Sequence, residues 1–163
     1  MIFHLARLLT KVQKPINKRS YKMNLNQLVD SAYELFNNKK YTESLEVLEN
    51  INEVLGTENL TEMEKEAVLV SLLNLKGFNY LGLNSLDRAT EMYASALEVN
   101  PNSSQACAGL GEVFHMQFKE EEAKTMFEWA IKNNPGNLFA VSGLAKANRD
   151  LGLQENHNNL IYN

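Results

Sequence analysis

Eight residues of one stretch recur 34 positions further along the chain. Leu73, Lys76, Gly77, Tyr80, Ala89, Tyr93, Ala96 and Pro101 are answered by Cys107, Leu110, Gly111, Phe114, Ala123, Phe127, Ala130 and Pro135. Small residues return on small, aromatic on aromatic and proline on proline. A fixed period of this length restricts the fold severely, because each unit is too short to bury its apolar face alone and has to stack on a copy of itself. The unit reads as two helices packed antiparallel. Gly77 and Ala96 fall where helices cross closely, and only small side chains allow that approach. Tyr80, Tyr93, Phe114 and Phe127 fill the gaps between layers. Pro101 and Pro135 end the second helices, since proline lacks the N–H and clashes with the preceding turn. Asn100 and Asn133–Asn134 supply turn chemistry before them, and Ser103 and the loop Asn84–Ser85 supply N-cap chemistry for the helices that follow.

The pattern resembles the tetratricopeptide repeat (TPR) family: a bulky residue, Leu-Gly, an aromatic, Ala, an aromatic, Ala and Pro at set places. Residues 104–137 match it throughout, with Cys107 in the bulky place, and residues 70–103 match with Lys76 standing for the usual Leu. The resemblance implies an all-α fold, a right-handed superhelical solenoid of antiparallel helix pairs, with about three repeats and a C-terminal capping helix.

Both flanks extend the pattern less cleanly. Leu138, Val141, Leu144, Ala145 and Leu151 stand one period on and begin a further helix, followed by the polar stretch Gln154–Asn159. Residues 138–163 are read as a partial repeat acting as a cap with a polar outer face, or as the start of a longer array. Upstream, Leu28, Ala32, Leu35, Tyr41, Ser44, Leu48 and Ile51 form a divergent pair over residues 25–58. It is offset by 45 residues instead of 34, and the surplus falls around Gly56 to Lys65. Gly56 reads as a helix stop, and Thr61 with Glu64 as a capping box. A long helix from Glu62 to Leu81 is therefore expected, with the stacking angle of the first pair left open.

Residues 1–22 differ in kind from the solenoid of residues 23–163. They hold six basic residues and no acid, whereas the remaining 141 hold 10 bases and 20 acids. Ile2, Phe3, Leu5, Leu8 and Leu9 recur at helical spacing before Pro15. Two readings stay open: a mitochondrial transit peptide with Arg19-Ser20-Tyr21 as its cleavage region, or a basic disordered leader arising from a start assigned too early, with Met23 the true one. The expected compartment is the cytoplasm, or the mitochondrial matrix if the leader is a transit peptide.

Chemistry-bearing motifs are scarce. His4, His115 and His157 sit in unrelated segments without metal-ligand spacing, so no metal, cofactor or enzymatic role is expected. Gly109 and Gly111 lie inside a helix and form no phosphate loop. The run Glu120-Glu121-Glu122 reads as a solvated helix N-terminus, Trp129 as a partly buried packing residue and Cys107 as buried and inert. The apolar run Ala67–Leu75 is nine residues long and is far short of a membrane span. A body carrying twice as many acids as bases repels phosphates, which argues against nucleic acid.

The resemblance implies a binding scaffold whose first helices line a concave face. By register, its ligand-facing places are Val29, Tyr33 and Phe36; Asn74, Phe78 and Leu81; Gln105, Glu112 and His115; and Phe139, Lys146 and Arg149. This face is aromatic early and basic late, which suits an extended peptide or a helix with apolar anchors and an acidic end. The family's clamp for the carboxylate of chaperone tails resembles a set of Lys, Asn and Arg across three repeats. Here those places hold Val29, Tyr33, Leu75, Gln105 and Gly109, or one repeat along Asn74, Phe78, Gly109, Phe139 and Gly143, and neither set forms charge-assisted bonds to a carboxylate. The functional expectation is a non-catalytic scaffold for a protein or peptide of unknown identity, with self-association through the groove or open ends as a further possibility. The alternative is an accessory TPR module of a bacterial glycosyltransferase or methyltransferase of surface-glycan biosynthesis.

Overall fold

The computed structural model describes residues 25–55 and 60–162. The basic leader and the centre of the insertion at 56–59 lie outside them. Among the described residues there are seven α-helices and no strand: α1 (Leu25–Asn37), α2 (Tyr41–Leu55), α3 (Glu62–Gly82), α4 (Leu86–Val99), α5 (Ser104–Met116), α6 (Glu120–Asn133) and α7 (Leu138–Tyr162). Each helix packs on the next, and α5 also packs on α3 and α7, so the first helices of successive pairs form one layer. The chain is an all-α helical-repeat solenoid.

The turns explain why the pairs repeat so faithfully. Lys39, Asn84 and Phe118 occupy equivalent places after α1, α3 and α5, and all have left-handed backbone with φ of 59°, 56° and 59°. Each completes the same hydrogen-bond pair. The N–H of Phe118 donates to the His115 carbonyl and that of Lys119 to the Phe114 carbonyl, both at 3.0 Å, and the other two turns copy this. These bonds satisfy carbonyls that the end of a helix leaves free. The opposite turns repeat too. Asn100 and Asn134 accept, through Oδ1, the N–H of Asn102 and Gly136 at 3.0 Å. Ser103 and Asn137 then cap α5 and α7 by accepting the N–H of Ala106 and Ala140. Ser85 departs from expectation, because its side chain makes no cap bond. The tight turn runs straight into α4 and leaves its ψ at 73°, short of the extended backbone that aims a cap oxygen at the first turn.

The capping box at the start of α3 forms as the sequence foretells. Thr61 Oγ1 accepts the Glu64 N–H, and Glu64 Oε2 accepts the Thr61 N–H at 2.8 Å. These bonds hold the Glu64 carboxyl below its usual range. At the other end, α7 continues beyond Leu151 as one helix to Tyr162, through the stretch that reads as a polar tail.

Two kinds of seam join the pairs. Tyr93 on α4 is fully buried, and its ring fills a slot between Gly77 of α3 and Gly109 of the following pair; a Cβ on either would overlap it, at 2.5 Å for Gly77. Phe127 on α6 fills the matching slot between Gly111 and Gly143. The first seam is built differently. Ser44 Oγ on α2 donates to the Ala32 carbonyl of α1 at 2.9 Å and accepts from Asn79 Nδ2 of α3 at 3.0 Å. Beside this chain of bonds, Lys76, in the place where the repeat pattern has Leu, pairs with Glu49 at 2.8 Å. An apolar cluster of Ala32, Val47, Leu48, Ile51, Leu72 and Leu75 fills the centre, and at the end of α3 the Tyr41 ring lies against one glycine, Gly82.

Candidate interaction groove

The first-helix layer carries a groove of about 330 Å³, lined by Tyr33, Phe36, Asn37, Asn74, Leu75, Phe78, Gln105 and Phe139. Its apolar wall is a row of rings. Phe78 sits 6.3 Å from Phe36 and 5.7 Å, edge to face, from Phe139, and its other side packs on Tyr93 at 5.6 Å. The buried Tyr93 thus fixes Phe78 from below, while Tyr33 and Phe139 remain 41% and 40% exposed on the rim. Helical register explains the convergence: Asn74 and Phe78 are one turn apart on α3, and Gln105 and Phe139 hold equivalent places on α5 and α7.

Asn74 is 3% exposed. Its Nδ2 donates to Ser103 Oγ and Gln105 Oε1, both at 3.3 Å, while its Oδ1 has no partner. The same residue borders a second, polar cleft of about 580 Å³ between the start of α3, the α4–α5 turn and the end of α6. Among the described charged residues only Glu66 lines that cleft.

Of the residues that the sequence placed at the site, the structure brings Tyr33, Phe36, Asn74, Phe78, Gln105 and Phe139 together around the groove, while Val29 lines a neighbouring pocket with Tyr33. Leu81 packs instead with the Tyr93 cluster. Glu112, His115, Lys146 and Arg149 lie along α5 and α7 outside the lining. Glu112 Oε2 is buried without a partner. Its charge adds to the effect of burial in holding the Tyr93 hydroxyl far above the usual ionisation range. Arg149 Nε donates to Asp150 at 3.0 Å, so the basic end expected at α7 is already partly neutralised.

No family model matches the chain. Over 82 residues it is 32% identical to the human protein O-mannosyl-transferase TMTC1, a stretch that covers 50% of this chain and 9% of that protein. Among solved structures, the TPR domain of Sgt2 from Aspergillus fumigatus superposes with a TM-score of 0.66 at 16% identity, covering 88% of each chain. The second TPR domain of human RPAP3, solved in complex with the HSP70 peptide SGPTIEEVD, superposes with a TM-score of 0.57 at 22% identity, covering 74% of this chain and 92% of that one. The fold is that of a TPR domain.

Within this TPR fold, three sequence expectations need correcting. The first concerns the acidic run at the start of α6. Glu121 and Glu122 are exposed, but Glu120 is 5% exposed and its Oε2 lies 2.8 Å from His115 Nδ1. The second follows from it, because the fold brings His115 to ligand range of carboxylates that sequence spacing did not reveal. His115, Glu120 and Asp150 have ligand atoms within 4.8 Å of one another, a donor set able to hold a divalent cation. Those same atoms already serve the His115–Glu120 and Arg149–Asp150 contacts that tie α5 to α6 and hold the surface of α7. The third is Trp129, which is exposed on α6 instead of partly buried. Cys107 is buried as expected, and burial raises its thiol pKa. Register named Leu75 only as a clamp place and missed Asn37 and the Glu66 cleft, since Glu66 belongs to the part of α3 that precedes the 34-residue pattern. No helix among the described residues is long and apolar enough to cross a membrane.

Proposed function

We propose that this chain is a non-catalytic interaction scaffold that holds a peptide segment of a protein partner in the aromatic groove. The observation that carries the reading is the Phe36–Phe78–Phe139 row, rigidly backed by Tyr93 and left open to solvent at Tyr33 and Phe139. Preset aromatic side chains around a concave surface are the usual anchors of a partner. That a TPR domain of the same fold was solved with a peptide supports the mode of binding. The clamp places described above hold no cation here, so the acidic tail seen with RPAP3 is not the ligand this groove favours.

The test is affinity capture from native extract with the full chain and with a Tyr33→Ala, Phe139→Ala double variant. Both residues are on the rim, whereas Phe78 supports the core. A partner held by the parent and lost by the variant supports the groove. Equal capture by both moves the site elsewhere. The TMTC1 match favours a second reading, in which the chain accompanies a glycosyl-transferring enzyme as its non-catalytic part. Because the match spans a small share of that protein, this reading stands only if a transferase polypeptide is recovered among the captured proteins.

A further inference from the structure

We infer that the occupant of the groove is an extended basic segment, with an apolar side chain between the aromatic rings and a Lys or Arg over the adjoining polar cleft. The inference rests on the groove reading above and sharpens it.

Two observations fix the chemistry. The first is the unpartnered Oδ1 of Asn74, a buried acceptor on the border of groove and cleft. A buried acceptor calls for a donor. A helical ligand spends its N–H groups internally beyond its first turn, but an extended chain offers one N–H per residue. The second is charge. Glu66 lines the cleft, is exposed and enters no ion pair among the described residues, and Glu112 Oε2, on the same face of α5 as Gln105, is buried and unpartnered among them. Of the described cations near these acids, Lys65 pairs with Glu62, Lys76 with Glu49 and Arg149 with Asp150. Lys146, the register mate of Glu112 on α7, makes no ion pair with it. The Asn74 Oδ1 and the Glu66 carboxylate complement a donor-rich, cationic ligand, and the unpartnered Nδ2 of Asn133, also in the cleft lining, is left for a backbone carbonyl of an extended chain.

The experiment uses the full chain and three fluorescein-labelled nonapeptides with one central Phe, read by fluorescence polarisation at low salt. One flanks the Phe with Lys and Gly, one with Glu and Gly, and one with Lys and Ala in a helix-forming pattern. The expected order is the Lys-Gly peptide tightest, by about tenfold over the Glu-Gly peptide, with the helical peptide weaker than the first. Glu66→Gln, an exposed substitution that leaves the fold intact, should remove most of the charge preference. Equal binding of the Lys and Glu peptides, or an unchanged preference in Glu66→Gln, overturns the inference. Tighter binding of the helical peptide overturns its extended form. In either case, loss of all binding in the Tyr33→Ala, Phe139→Ala variant would still uphold the groove itself. Binding by none of the three peptides counts against both.

Discussion

Where α4 meets α5, and again where α6 meets α7, one ring enters slots provided by two glycines, one from its own helix pair and one from the next. Where α2 meets α3, the corresponding places hold Leu48 and Ala32, a ring meets a single glycine only at the edge (Tyr41 on Gly82), and the centre of the seam is held by the Ser44–Asn79 bond, the Lys76–Glu49 pair and an aliphatic cluster. The difference is one of tolerance. A ring in a glycine slot admits one geometry, because neither partner can move without overlap or void. Aliphatic side chains and an ion pair with a mainly exposed partner accommodate a range of spacings. The rigid seams lie in the region of exact period, and the adaptable one adjoins the insertion.

Four substitutions probe that contrast, in order of decreasing effect. Phe127→Ala empties a slot that cannot collapse onto its glycines and should lower stability by about 3–5 kcal/mol, measured by urea denaturation. Gly109→Ala drives a methyl group into the fully buried Tyr93 ring and should cost about 1–3 kcal/mol; an unchanged melting temperature would show that the slot is looser than described. Ser44→Ala breaks the first seam's hydrogen bond and leaves Asn79 Nδ2 with only its intrahelical Leu75 acceptor, so a loss of about 1 kcal/mol is expected. A larger loss than for Gly109→Ala would reverse the comparison. Lys76→Leu restores the pattern residue and frees the mainly exposed Glu49, so the change should stay within about 1 kcal/mol and fall on the stabilising side. A drop of several kcal/mol would make the ion pair central to the seam.

These contrasts also mark what could be read from the chain beforehand. Gly77, Gly111, Tyr93 and Phe127 were legible because each recurs, and recurrence reports packing directly. Tyr33, Asn74, Phe78, Gln105 and Phe139 followed from register alone. The His115–Glu120 contact was not legible, because it spans a turn at a separation that no helix periodicity predicts, and Asp150 joins them from another repeat. Lys76 was visible as an anomaly, but its partner Glu49 lies across the insertion, where the register fails. Leu81, Lys146 and Arg149 were placed by assuming that the groove runs the full length of the first helices. The contact between Phe78 and Phe139 confines it to one end.

Tyr93 and Phe127 each belong to two repeats at once, so no helix pair between them owns a finished interior. Backbone amides of α4, α5 and α6 should therefore exchange with solvent only when a neighbouring pair opens as well, whereas α1 and the far end of α7 can fray alone. Deuterium would enter this chain from its two ends inward, and the order of entry would map the ring-and-glycine joints without a single substitution.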